Sequence, residues 1–266
     1  MTTLQRLAPA RFGVPARRFN VITQDGVRIA GTRLGPPGAD RPAVVMAHGL
    51  MGWHTKPRFA RFATELARWF TPYALDLRGH GRSGGICDFG GAEINDIDAV
   101  VRLARRSGHE RVVTFGVSMG AIAVVRHGGL LGGLDAVVSV SSLSSWDWHD
   151  GAQPFAWRRM TWRLESPSGQ ILMRVVGVRV PVAWERPDSP EEVIGKIAPT
   201  PVLIVHGLDD HLFAEDHARR LFDAAGEPKR LLLARGFGHA EDGLNPAFAR
   251  RLAAAIHDQV GVPWSG

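Results

Sequence analysis

Cysteine is almost missing from this chain: Cys87 is the one example in 266 residues. An internal disulfide framework is therefore excluded, and the composition fits a reducing compartment. Lysine is nearly as scarce, with Lys56, Lys196 and Lys229 the only examples, so the net charge of +6 rests on arginine. The arginines are scattered in ones and twos, with no block of five or more and no aromatic RNA-binding signature, so no nucleic-acid partner is expected. No stretch approaches the roughly eighteen apolar residues of a membrane span. The first nineteen residues lack an apolar run before a small-residue cleavage site, which argues against a secretory signal. These absences predict a soluble, cytoplasmic protein. They leave its oligomeric state open.

What remains is ordinary globular composition, 45% hydrophobic and 22% charged, in a length that suits one α/β domain with a modest insertion. Strand and helix patterns alternate, which predicts a mostly parallel sheet flanked by helices. Phe19 to Thr23 and Val27 to Leu34 read as a hairpin turning at Gln24-Asp25-Gly26. Strands follow at Ala43 to Ala47, Tyr73 to Leu75, Val112 to Phe115, Ala136 to Val140, Val202 to His206 and Arg230 to Ala234. Helices are predicted over Pro57 to Phe70, Ala92 to Arg106, Ala121 to Arg126, Ala214 to Ala225 and Pro246 to Val260. The rhythm breaks over 141–198, which holds five of the eight tryptophans and many arginines. This segment reads as a lid inserted between the sixth and seventh strands, over a core domain made of 1–140 and 199–266.

Two segments match G-x-S-x-G. Gly81-Arg82-Ser83-Gly84-Gly85 lies between polar loop residues, so Ser83 reads as a loop serine. Gly116-Val117-Ser118-Met119-Gly120 lies between a β-branched strand and an apolar helix. So abrupt a strand-to-helix turn strains the serine and lifts its hydroxyl above the sheet, as in a nucleophile elbow. A serine hydroxyl needs a base, and the base needs a carboxylate to orient it. Past the strand at Val202 stand Asp209 and Asp210, and past the strand at Arg230 stands His239. The order is then Ser118, Asp210, His239, with the adjacent Asp209 as the fallback acid.

With these landmarks the chain resembles the α/β-hydrolase superfamily, in its esterase and lipase-like branch, from about Phe19 to the C-terminus. The resemblance is carried by His48-Gly49, Asp76-Leu77-Arg78-Gly79-His80-Gly81-Arg82-Ser83, the Ser118 elbow, His206-Gly207-Leu208-Asp209-Asp210 and Gly238-His239. It implies that the last residue of H-G-x-x-D, Asp210, is the acid. It also implies that the backbone N–H groups of Leu50 and Met119 form an oxyanion hole.

The implied activity is hydrolysis of carboxylic esters with a hydrophobic short-to-medium acyl or alcohol part, with no cofactor or metal. His206, His211 and His217 lack metal-site spacing. Trp146, Trp157 and Trp162 are candidate substrate contacts from the lid. Thioesters, amides or peptides, C–C bonds and perhydrolysis stay open as alternatives on the same triad. Two further alternatives are a ligand-binding protein that keeps the fold without turnover and an enzyme whose lid docks on anionic membranes.

Overall fold

The computed structural model describes residues 12–147, 162, 163 and 165–261. Eight strands form one sheet in the order β1-β2-β4-β3-β5-β6-β7-β8. They are β1 (Ala16–Ile22), β2 (Arg28–Leu34), β3 (Ala43–Ala47), β4 (Thr71–Leu75), β5 (Val112–Val117), β6 (Ala136–Val140), β7 (Val202–Gly207) and β8 (Lys229–Ala234). Only β2 runs against the others: it pairs antiparallel with both β1 and β4, and every later pairing is parallel. The central strands β3 to β7 are buried at every position, as strands covered on both faces must be.

Successive residues of a strand point to opposite faces, so each strand feeds two cores. Val113, Phe115 and Val117 of β5 join one cluster with Phe59, Phe62 and Leu66 of α1 (Pro57–Leu66) and Leu252 and Ile256 of α7 (Pro246–Val260). Val112 joins the opposite cluster, with Ile97 and Val100 of α2 (Glu93–Arg106), Ile122 and Val125 of α3 (Met119–Leu130) and Leu221 of α6 (Asp216–Ala224). This is the mostly parallel sheet flanked by helices that the alternation predicted, in the architecture that the resemblance implied. No helix among the described residues is long and apolar enough to cross a membrane.

Two differences from the sequence reading have local causes. Helix α1 stops at Leu66, not Phe70; Arg68 and Trp69 donate three residues back in tight turns, and Thr71 already opens β4. Helix α3 starts at Met119, directly after the elbow serine, and runs to Leu130. Glycines 128 and 129 obscure that extension in sequence, but a Cβ at Gly129 would stand 2.3 Å from the Val193 carbonyl oxygen, so close packing explains it.

Between β6 and β7 the described part of the insertion includes α4 (Pro167–Val175), α5 (Pro190–Val193) and a 3-10 turn at Ile194–Ile197. Met173, Val178, Val180 and Val193 are buried in the core cluster on the α3 side. Around Arg179 the chain pairs with the loop after β4: its N–H donates to Gly79 and its carbonyl accepts from Cys87. The Arg179 guanidinium adds bonds to the carbonyls of Ser83 and Gly85.

Candidate active site

The strand order reverses at β3, whose neighbours β4 and β5 lie on opposite sides. A crevice opens at the carboxyl ends of the strands at such a switch point. The loop after β3 and the turn after β5 meet there: a Cβ on Gly49 would lie 3.2 Å from the Ser118 Cβ.

Ser118 carries the strain of that turn, with φ 52° and ψ −120°. The flanking glycines are required by close approach. A Cβ at Gly116 would stand 2.1 Å from the Gly120 carbonyl oxygen, and one at Gly120 would stand 2.5 Å from that of Ala47. The backbone is held open by the Ser118 N–H, which donates to Val140 of the neighbouring strand at 2.9 Å.

Three loops bring the predicted residues into one line. Ser118 Oγ lies 3.0 Å from His239 Nε2, and His239 Nδ1 lies 2.8 Å from Asp210 Oδ2. Asp210 is buried, and its Oδ1 also accepts the N–H groups of Leu212 and Phe213 at 2.8 and 3.0 Å. Burial alone would raise its pKa. The His239 hydrogen bond and charge, with the Phe213 and Leu212 amides, outweigh burial and hold it below the ordinary carboxylate value. Asp210 is therefore ionised at neutral pH and favours the Nδ1–H tautomer of His239, with Nε2 facing the serine hydroxyl. Asp209 has different work: it is exposed, and its Oδ2 accepts the Gly236 N–H at 2.6 Å, closing the loop after β8.

Leu50 follows Gly49 in the loop after β3, and Met119 directly follows Ser118. Their N–H groups make no backbone hydrogen bond among the described residues. Met119 is the first residue of α3, where the helix dipole adds partial positive charge. Met51, just beyond Leu50, adopts a strained φ of 62°.

Of the three tryptophans expected to contact substrate, Trp146 has its ring enclosed between Phe89 and Trp184, and its Nε1 donates to the Pro187 carbonyl. Only 2% of it is exposed, so it braces the insertion from within. Trp162 is 42% exposed. Trp157 lies outside the described residues.

Several other histidines among the described residues brace loops. His48 Nδ1 donates to the Gly49 carbonyl while Nε2 accepts from the Leu77 N–H. Burial, then the neighbouring His80, lowers its pKa to about 3, so it stays neutral. His206 Nε2 donates to the Phe213 carbonyl and so supports the turn that holds Asp210. His217 accepts from the Ser144 N–H, and His211 stacks edge-on, 6.1 Å from the His239 ring.

Phe213 and His54 were missed by sequence reasoning. The Phe213 amide holds Asp210 and its ring packs 5.3 Å from His239. The His54 backbone and ring nitrogens both donate to Asp76 at 2.7 Å. Neither stands in a motif. A large apolar residue directly after the acid turn was the only available signal for the first.

Comparison with known proteins bears on the fold and the family. The chain is 26% identical over 228 residues to the uncharacterized protein YfhR of Escherichia coli O157:H7, covering 82% of this chain and 71% of that protein. It is 26% identical over 272 residues to polyketide transferase ATR5 of Stachybotrys chlorohalonatus, covering 82% and 87%. The Pyrococcus furiosus esterase Pf2001 superposes with a TM-score of 0.72 at 18% identity, covering 94% of this chain and 93% of the esterase, and shares the fold. Residues 38–176, just over half of the chain, match the hydrolase family described as serine aminopeptidase, S33, and the protein belongs to that family of the α/β-hydrolase superfamily.

Proposed function

We propose that the protein is a serine hydrolase that cleaves carboxylic esters through an acyl-enzyme. The observation that carries this reading is the unbroken line from the Ser118 hydroxyl through His239 to the Asp210 carboxylate. In the first half-reaction His239 Nε2 takes the Ser118 proton as Oγ attacks the ester carbonyl. Asp210 holds Nδ1–H and stabilises the imidazolium that forms. The negative charge on the carbonyl oxygen meets the N–H groups of Leu50 and Met119, each worth about 3 kcal/mol in such chemistry. Collapse of the tetrahedral species expels the alcohol, which takes its proton from His239. Water then repeats the sequence on the acyl-enzyme, releasing the acid and restoring the serine.

Apolar side chains are exposed just past the carboxyl ends of two strands. Met51 and Leu208 are 36% and 38% exposed after β3 and β7. They favour a small-molecule substrate with a hydrophobic acyl or alcohol part, under a lid formed by 141–198. The buried free thiol of Cys87 suits a reducing, cytoplasmic setting. The family's description as serine aminopeptidases favours an amide as the second reading, through the same steps with an amine leaving.

Hydrolysis of p-nitrophenyl esters of graded acyl length, with thioester and anilide analogues alongside, tests the proposal. Ester turnover with an optimum at short-to-medium length, lost together with fluorophosphonate labelling in Ser118→Ala, is the expected result. Anilides cleaved faster than esters would replace it with the amide reading. A wild-type protein that neither turns over any substrate nor labels would overturn both.

A further inference from the structure

Ser141, the first residue after β6, has a backbone its sequence identity does not explain. Its φ is 51°, in the left-handed region where a side chain costs on the order of 1 kcal/mol and glycine costs nothing. It is completely buried, so no solvent contact repays the strain. Its hydroxyl does one thing glycine could not: Oγ accepts the Ala240 N–H at 3.1 Å. Ala240 directly follows His239 and is itself strained, at φ 49°.

The other side of the same peptide is held as well, because the His239 carbonyl accepts the Asp242 N–H at 3.0 Å. The plane linking His239 to Ala240 is thus fixed at both poles, and with it the direction in which the His239 side chain leaves the backbone. The residue before Ser141 holds the other partner: the Val140 carbonyl accepts the Ser118 N–H at 2.9 Å. Ser141 itself is locked to the sheet by its own N–H, which donates to Val205 at 2.9 Å. Strand β6 lies between the serine strand and the acid strand. Two consecutive residues at its end therefore bond the backbone of the serine on one side and of the histidine loop on the other.

We propose that Ser141 is a positioning residue that sets His239 at proton-transfer distance from Ser118, an inference that rests on the hydrolase reading above. Its hydroxyl touches no reacting atom. It acts through the Ala240 amide, and the strain at residue 141 is retained because the acceptor is needed there.

The test compares Ser141→Ala and Ser141→Gly in the full chain, using p-nitrophenyl butyrate hydrolysis, thermal melting and the downfield proton NMR signal of the His239 Nδ1–H. Both variants lose the acceptor, but glycine also releases the strain. The expected result is a kcat fall of about 10- to 100-fold in both, with KM within about twofold, as misplacement by a fraction of an ångström to an ångström produces. Ser141→Gly should melt at or above Ser141→Ala yet stay as slow, and the Nδ1–H signal should broaden in both. A purely structural residue would instead give kcat that recovers with stability, and that outcome overturns the proposal. So does retention of kcat and an unchanged signal in Ser141→Gly, whether or not Ser141→Ala folds. Absence of turnover in the wild type, with the signal present there and broadened in the variants, would remove the hydrolase reading while leaving the positioning role standing.

Discussion

The chain contains the same five-letter pattern twice, and the two serines have opposite fates. At Ser83 the hydroxyl is consumed by the backbone: Oγ accepts the Ala30 N–H and donates to the Asp76 carbonyl. There the glycines carry the positive φ, at Gly81 and Gly85. At Ser118 the serine itself carries it, the glycines make room for crossing backbone, and the hydroxyl is left to an imidazole nitrogen. A serine whose oxygen is satisfied by amide and carbonyl is a rivet. One whose hydroxyl meets an imidazole nitrogen, as Ser118 does, has a base in place to take its proton. The pattern of letters does not distinguish them; the element on either side does.

The comparison breaks most sharply at the hydroxyls. Ser118→Ala should lower kcat/KM by about 10⁵- to 10⁶-fold, on the scale of other serine triads, with a melting temperature within a few degrees of wild type. Comparable residual activity would mean that another nucleophile operates. Next in size is the acid. Asp210→Asn should cost about 10⁴-fold in kcat by admitting the wrong imidazole tautomer, whereas Asp209→Asn should cost only a few-fold. Reversal of that order in steady-state kinetics would make Asp209 the acid.

The loop that contains Ser83, with His48 packed against its His80, sets an acid limit on stability. Burial holds the pKa of His48 near 3 and that of His80 near 4, against 6.5 for an ordinary histidine. Below pH 6.5 the unfolded chain takes up these protons and the folded chain does not. Their neutral burial is therefore without penalty above about pH 6.5, and stability falls as pH drops towards 4 and 3. Each group contributes a slope approaching about 1.4 kcal/mol per pH unit. Urea midpoints at pH 7.5, 6 and 5 measure this, and a flat series would show that these rings ionise in the fold. The smallest effect is expected from Ser83→Ala, which leaves the Ala30 amide without its acceptor. It should destabilise by about 1–3 kcal/mol while kcat stays within about twofold, as denaturant titration and kinetics on the folded fraction would show.

Much of this was legible in one dimension. The β-branched run before Gly116 and the apolar run after Gly120 separated Ser118 from Ser83, because a strand and a helix each announce themselves by side-chain period. His239 followed from its place just past a strand. Asp210 and Asp209 could not be separated by spacing, since neighbouring residues at a strand end differ only in the direction the turn gives them. That direction is set by the amides of Leu212 and Phe213 on one and of Gly236 on the other. The end of α1, the His54–Asp76 pair and the enclosed ring of Trp146 likewise depend on segments far apart in the chain.

The sequence by itself determined the alternation of buried strands and amphipathic helices, the strained serine turn and the order Ser118, Asp210, His239 at successive strand ends, because these are written in local period and turn chemistry. Only the tertiary structure decided which of two adjacent carboxylates meets the imidazole, and that Ser141 reaches across a strand to the backbone beside it. Those are distances between residues 29 and 99 positions apart. Such distances are fixed when the sheet closes and its loops share hydrogen bonds, and no window of the sequence contains both ends.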